Sequence, residues 1–175
     1  QHFYENEIFF ADSTFFNVFS VELERGDLKK ALERPNSIVL TKEAAQKYFG
    51  NADPIGKSLE ISSFVGSFDV EVTAIAKKMP ASSHFKFSSL ISMQSIGDVS
   101  NFWGYHMYQS YLLLNGKASA KDIESKFGDF ANKYIVNNPQ ADGKHDIFLQ
   151  PITDIHLHSK MIGEVDANSD IAYVY

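Results

Sequence analysis

Cysteine is absent from this chain of 175 residues, which excludes thiolate metal sites, thiol nucleophiles and disulfide scaffolds. That absence is compatible with the cytoplasm and with an oxidising periplasm alike. Basic charge is also scarce. Sixteen Lys and Arg against twenty-two Asp and Glu leave a formal net charge of −6, the wrong sign for a surface that follows phosphate backbones by releasing counterions. Nucleic acid is therefore not an expected partner. Long apolar runs are missing: Ile8 to Ala11 and Tyr111 to Leu114 extend four residues each and Ile171 to Tyr175 five, against about twenty for a membrane-spanning helix. Gln1 opens the chain without a Met, a basic segment or an apolar leader, so a targeting signal or anchor is expected in a longer parent protein. There is no Gly-x-Ser-x-Gly elbow, no Gly-rich phosphate loop, no His-Glu-x-x-His and no Gly-x-Gly-x-x-Gly. Internal repeats and low-complexity tracts are lacking as well.

What is present reads as a globular domain, with 44% hydrophobic and 22% charged residues. A chain this long hides roughly 70% of its unfolded surface without metals or disulfides. Tyr4 to Phe10 predicts a strand, and Asp12 stands as N-cap before Phe15, Phe16 and Phe19 at helical spacing. Val21 and Leu23 alternate on one face, and Gly26-Asp27 opens a short helix carrying Leu28, Ala31 and Leu32 that Pro35 closes. Ile38-Val39-Leu40 predicts a buried strand, followed by Thr41 as N-cap, a helix burying Ala44, Ala45, Tyr48 and Phe49, and Gly50 at its end. Asp53-Pro54-Ile55-Gly56 fits a type I turn. A hairpin follows, with Leu59 and Ile61 on one arm, Phe68, Val70, Val72 and Ala74 on the other, and Ser62 to Ser67 as its loop. After the polar stretch Lys77 to His84, Phe85, Phe87 and Leu90 to Met93 predict another extended segment. In the second half, Tyr111 to Leu114 predicts a strand. Ser119 caps a long helix striped by Ile123, Phe127, Phe130, Ala131, Tyr134 and Ile135, and Ile147 to Ile152 completes a strand-helix-strand unit. The layout is α+β with two small subdomains, residues 1–92 and 93–175, and a possible further strand within 1–10.

Candidate chemistry is sparse. His156 and His158 share one face of an extended segment and could chelate zinc, with Asp154, Glu164 or Asp166 as further ligands. Local hydrogen bonding in a turn after Pro151, with Ile155 and Leu157 packed inward, is the simpler reading, because His-x-His alone is a weak pattern. Ser82-Ser83-His84 sets a hydroxyl beside a base, but neighbours in extended chain point to opposite faces. Asp166 and Asp170 could act as an acid pair, yet they lie in a polar stretch that reads as solvated loop. No catalytic, cofactor-binding or metal residue is assigned, and the chain is not read as an enzyme. Phe102, Trp103, Tyr105, Met107, Tyr108 and Tyr111 crowd together in a composition found at interfaces and ligand grooves, with core packing and a surface-hugging loop as the alternative.

Asn36 to Gly50, then Asp53-Pro54-Ile55-Gly56-Lys57 and a hairpin ending Val72 to Ala76, resemble the MacB-like periplasmic core domain of ABC-transporter permeases of the MacB/FtsX type. Ala11 to Phe19 with Gly26-Asp27, Pro80 to His84, and Asp154 to Ser159 resemble further segments of that family, in the same order. The resemblance implies a domain outside the cytoplasmic membrane, between the first two transmembrane helices, with Asp170 to Tyr175 leading into the second. It implies a Sabre-like part over about Asp12 to Leu90, inserted in a Porter-like part over about Phe102 to Ile152. The family's initial Porter stretch would be shortened here, since about ten residues precede the Phe10 to Phe19 segment. The implied role is mechanical: ATP hydrolysis by a cytoplasmic ABC ATPase moves the external domains of a permease homo- or heterodimer. Implied contacts are a periplasmic adaptor or a cargo protein, peptide or lipid, with no cofactor. The isolated piece is expected to be a monomer. The competing readings are an independent extracytoplasmic ligand-binding or sensor domain, with the aromatic cluster lining its pocket, and a metal-dependent hydrolase using His156 and His158.

Overall fold

A computed structural model describes residues 2–63, 66–80, 83–98, 108–136 and 146–155, and the chain divides into two compact units, residues 1–98 and 99–175. The first unit is built on a mixed sheet. Its strands are β1 (Ile8–Ala11), β2 (Leu23–Arg25), β3 (Ser37–Thr41), β4 (Ser58–Ser63), β5 (Gly66–Ala76) and β6 (Ser89–Ser92), ordered β1-β6-β3-β5-β2 with β4 also paired to β5. β1 runs parallel to β6, and β3 parallel to β5; the remaining pairs are antiparallel. β4 and β2 lie in succession along one edge of the long β5, at Gly66–Glu71 and at Ile75–Ala76.

The strand-helix unit read from the sequence forms as expected. Ile38, Val39 and Leu40 are fully buried in β3, as a strand covered on both faces requires. Thr41 Oγ1 accepts the Ala44 amide at 3.2 Å and starts α2 (Lys42–Phe49), and Gly50 closes it at φ 58°. α2 lays Ala44 and Ala45, flanked by Tyr48 and Phe49, on the sheet face that carries Ile38, Leu40, Val70, Val72, Ile75 and Ile91. Burying each of the larger of these side chains contributes about 1.5–3 kcal/mol.

The hairpin departs from simple alternation. Pairing runs from Ile38↔Val72 to Val39↔Ala74 and skips Thr73, so the bulge carries Val72 and Ile75 to the α2 face and leaves Ala74 on the other. The Thr73 hydroxyl donates to the carbonyls of Ala31 at 2.6 Å and Ile38 at 3.2 Å. The loop is also tighter than expected, because the ladder continues to Ser63↔Gly66. The turn before it is shifted by one residue: Lys57 N–H donates to Pro54 O at 3.0 Å, and Gly56 has a φ of 77°, the positive value a type II turn needs at its third position.

Two expected helices are reduced. Residues 28–33 form turns, with Lys30 N–H on Asp27 O and Glu33 N–H on Lys30 O. The carbonyls of Ala31 and Leu32, which a longer helix would use internally, instead accept from Thr73 and from Ser92 Oγ at 3.0 Å, fixing this segment over the sheet face opposite α2. α1 (Phe15–Val18) is a single turn whose N-cap residue is Thr14; Asp12 Oδ1 accepts from the Thr14 amide and hydroxyl just ahead of it.

In the second unit the long helix is two, α3 (Ala120–Glu124) and α4 (Phe127–Tyr134). Ser119 and Asp122 form a capping box at the start of α3. The break follows Ser125, whose hydroxyl bonds back to Asp122 O at 2.8 Å while Lys126 N–H turns to Ile123 O. This is the competition that makes serine a weak helix former. Tyr111 to Leu114 and Ile147 to Ile152 do not form the expected strands, and no ladder occurs among the described residues of this unit. Leu112 and Leu113 are 56% and 69% exposed; a strand apolar on both faces needs sheet neighbours, and none pairs with it among the described residues. Among the described residues no helix is long and apolar enough to cross a membrane.

Candidate functional site

A groove of about 430 Å³ opens on the first unit. Its floor is α2, through Ala44 and Tyr48; one wall is the N-terminal arm, through Glu5 and Glu7; the other is the connection from β5 to β6, through Met79 and Phe87. Its apolar surface is edged by both signs of charge, with Glu43 and Lys47 on α2 and Lys78 and Lys86 on the connection. Among the described residues no histidine lines it.

The arm is pinned to α2 by a cluster of four side chains. Phe3 stacks at a tilt on Tyr48 with centroids 5.2 Å apart, and the Lys47 ammonium lies 5.1 Å from the Phe3 ring centre and 5.8 Å from that of Tyr48. Lys47 also forms an ion pair with Glu5, whose side chain is 17% exposed. Burial acts to raise the Glu5 carboxyl, but hydrogen bonds from Lys47 and Tyr48 outweigh it and leave it below the ordinary carboxylate value. Tyr48 is pushed well above the ordinary phenol value, first by burial and then by its hydrogen bond to the Glu5 carboxylate.

A second aromatic cluster holds α1 to the segment before β6. Phe15 lies 4.9 Å from Phe19, 5.6 Å from Phe85 and 6.2 Å from Phe87, and Phe19 meets Phe85 edge-on at 4.6 Å. The helical spacing of Phe15 and Phe19 and the alternation of Phe85 and Phe87 were visible in the sequence; their meeting was not. On the far side, Arg25 at the end of β2 grips Asp53 with two hydrogen bonds, 2.6 and 3.0 Å. The guanidinium, aided by the Ile55 amide, holds the Asp53 carboxyl below its ordinary value. These clusters pack and pair side chains from distant parts of the chain.

The residues singled out from the sequence are distributed differently. His156, His158, Glu164, Asp166 and Asp170 lie outside the described residues, as do Ser82, Phe102, Trp103, Tyr105 and Met107. Asp154 closes a 3-10 turn, and no group of three or more His, Asp or Glu able to hold a metal occurs among the described residues. The Ser83 amide donates to Pro80 O at 2.9 Å, and the His84 ring meets Phe85 edge-on at 4.7 Å. Tyr108 is 39% exposed. The groove and its arm were missed by sequence reasoning; the signal was Phe3 and Glu5 ahead of the first strand, which has meaning only beside Lys47 and Tyr48.

Among solved structures, a domain assigned to a permease protein from Porphyromonas gingivalis is similar, with a TM-score of 0.53 and 15% identity over 77% of this chain and 67% of that one. The periplasmic region of MacB from Actinobacillus actinomycetemcomitans is similar with a TM-score of 0.50 and 16% identity, over 82% of this chain. This chain spans 60% of that region's length. At such identities the likeness establishes a common α+β fold. No curated protein sequence matches significantly. The profile of the MacB-like periplasmic core domain, a component of transporters, matches residues 2–129. With that match covering well over half of its length, the chain belongs to the MacB-like periplasmic core domain family.

Proposed function

We propose that this domain relays ATP-driven conformational change on the extracytoplasmic side of an ABC-transporter permease and meets cargo or a partner protein there. Membrane helices outside this chain would hold it, and a cytoplasmic ATPase would drive it. Residues 1–92 would act as the Sabre-like part and 93–175 as the Porter-like part. The observation that carries this reading is the family match over residues 2–129. It is supported by the build of the first unit, where β3 and β6 are buried along their whole length, giving a stiff body able to transmit force with little internal loss.

The test uses the full permease with its ATPase in lipid vesicles. Because this chain has no cysteine, a donor dye at the exposed Lys30, introduced as Lys30→Cys, is unique within the domain. Energy transfer to acceptor dyes on the lipid headgroups reports its height above the membrane. A change between the nucleotide-free and ATP-trapped states is expected; the same transfer in both overturns the relay.

A further inference from the structure

We infer that residues 2–6 form a latch on α2, held by the Phe3, Glu5, Lys47 and Tyr48 side chains and releasable without unfolding the sheet. The backbone of these residues makes no hydrogen bond to other described residues; the first one from the chain's start is at Glu7, whose carbonyl accepts from the amides of Ser88 and Ser89 and from Ser88 Oγ. Beyond Glu7 the chain enters β1 and is laddered to β6. Attachment therefore changes character at one residue, from side-chain contacts outside the sheet to backbone pairing inside it. The latch contacts are only partly buried: Phe3 is 37% exposed, and the Lys47 and Glu5 side chains 44% and 17%; ion pairs and ring contacts outside the core yield separately from it. Because Glu5 walls the groove over α2, releasing residues 2–6 opens the Tyr48 side of that groove while Glu7 stays in place. Closed, the latch makes α2, and through it β3, follow any displacement of the chain's leading end. That use rests on the relay reading above; the latch itself does not.

The two are separated by two measurements. In this chain, amide relaxation should give residues 3–5 an order parameter near about 0.85, falling below about 0.6 in Phe3→Ala and in Lys47→Met, while Ile38 to Leu40 stay near about 0.85. Low values for residues 3–5 in the native chain, no drop in either variant, or loosening of β3 together with the arm would each overturn the latch. In the full permease, Phe3→Ala should abolish the ATP-dependent change in energy transfer at position 30 while ATP hydrolysis continues. If the change persists with the arm loosened, the latch is not the coupling point and the relay stands. If the native permease shows no change, the relay fails and the latch is still decided by relaxation.

Discussion

Gly26 offers the sharpest test of how the sheet of the first unit is assembled. It follows β2 with a φ of 99°, and a Cβ placed there would lie 2.6 Å from Ala74 Cβ, 2.8 Å from Ala74 Cα and 2.8 Å from the Thr73 carbonyl oxygen. Two of these three atoms are backbone, at the bulge that sets the register of β5 against β3, so no rotamer change relieves them. Gly26→Ala therefore carries the backbone penalty of a left-handed L-residue, about 1–2 kcal/mol, plus an overpacking cost of about 1–3 kcal/mol. Together these come to about 3 kcal/mol. Gly50→Ala is the internal control, since its φ of 58° is also positive but nothing lies within 4 Å of its Cβ position; it should lose only the backbone term, about 1–2 kcal/mol. In urea, with m of about 1–3 kcal/mol per molar, the midpoint of the sheet's transition should fall by roughly 1–3 M for Gly26→Ala and by about half as much for Gly50→Ala. Equal losses for the two variants would refute the close approach of β2 to the bulge.

Two further expectations follow from single residues. The Ser89 hydroxyl is fully buried in β6 with no hydrogen-bond partner among the described residues, so Ser89→Ala should leave stability unchanged or raise it by about 1 kcal/mol in urea; a clear loss would mean that the hydroxyl is satisfied. The Glu5 carboxyl titrates below its ordinary value in the folded chain, so its contribution is complete above about pH 4.3 and is lost as pH falls through the lowered folded value. Glu5→Gln should accordingly flatten that part of the stability-pH curve, and superimposable curves for the two proteins would rule out the Glu5–Lys47 pair as its source.

Legibility varied with the range of the forces involved. Asn36 to Gly50 could be read directly, because a continuous apolar strand, a Thr cap, a helical stripe and a terminal glycine are all signals between near neighbours. His156 and His158, and Phe102, Trp103, Tyr105 and Met107 of the aromatic crowd, lie outside the described residues, whereas the groove over α2 emerged from residues that no motif singles out. Phe3 and Glu5 meet Lys47 and Tyr48 across some forty positions, and nothing in their local surroundings foretells it.

Composition and local pattern by themselves determined the α+β class, the strand-helix unit around Thr41, the cap at Ser119 and the likeness to an extracytoplasmic permease domain. Only the tertiary structure decided that β1 joins β6 in parallel, that Thr73 bulges so that Ile75 rather than Ala74 faces α2, and that the helix after Ser119 is two. Strand partners are chosen by backbone groups and buried area brought together from distant parts of the chain, and the Thr73 hydroxyl has acceptors to bind only once the Ala31 carbonyl lies over the sheet. Tyr111 to Leu114 shows the converse: its apolar residues supply a strand's composition, yet it forms no strand, because composition alone does not choose a ladder partner.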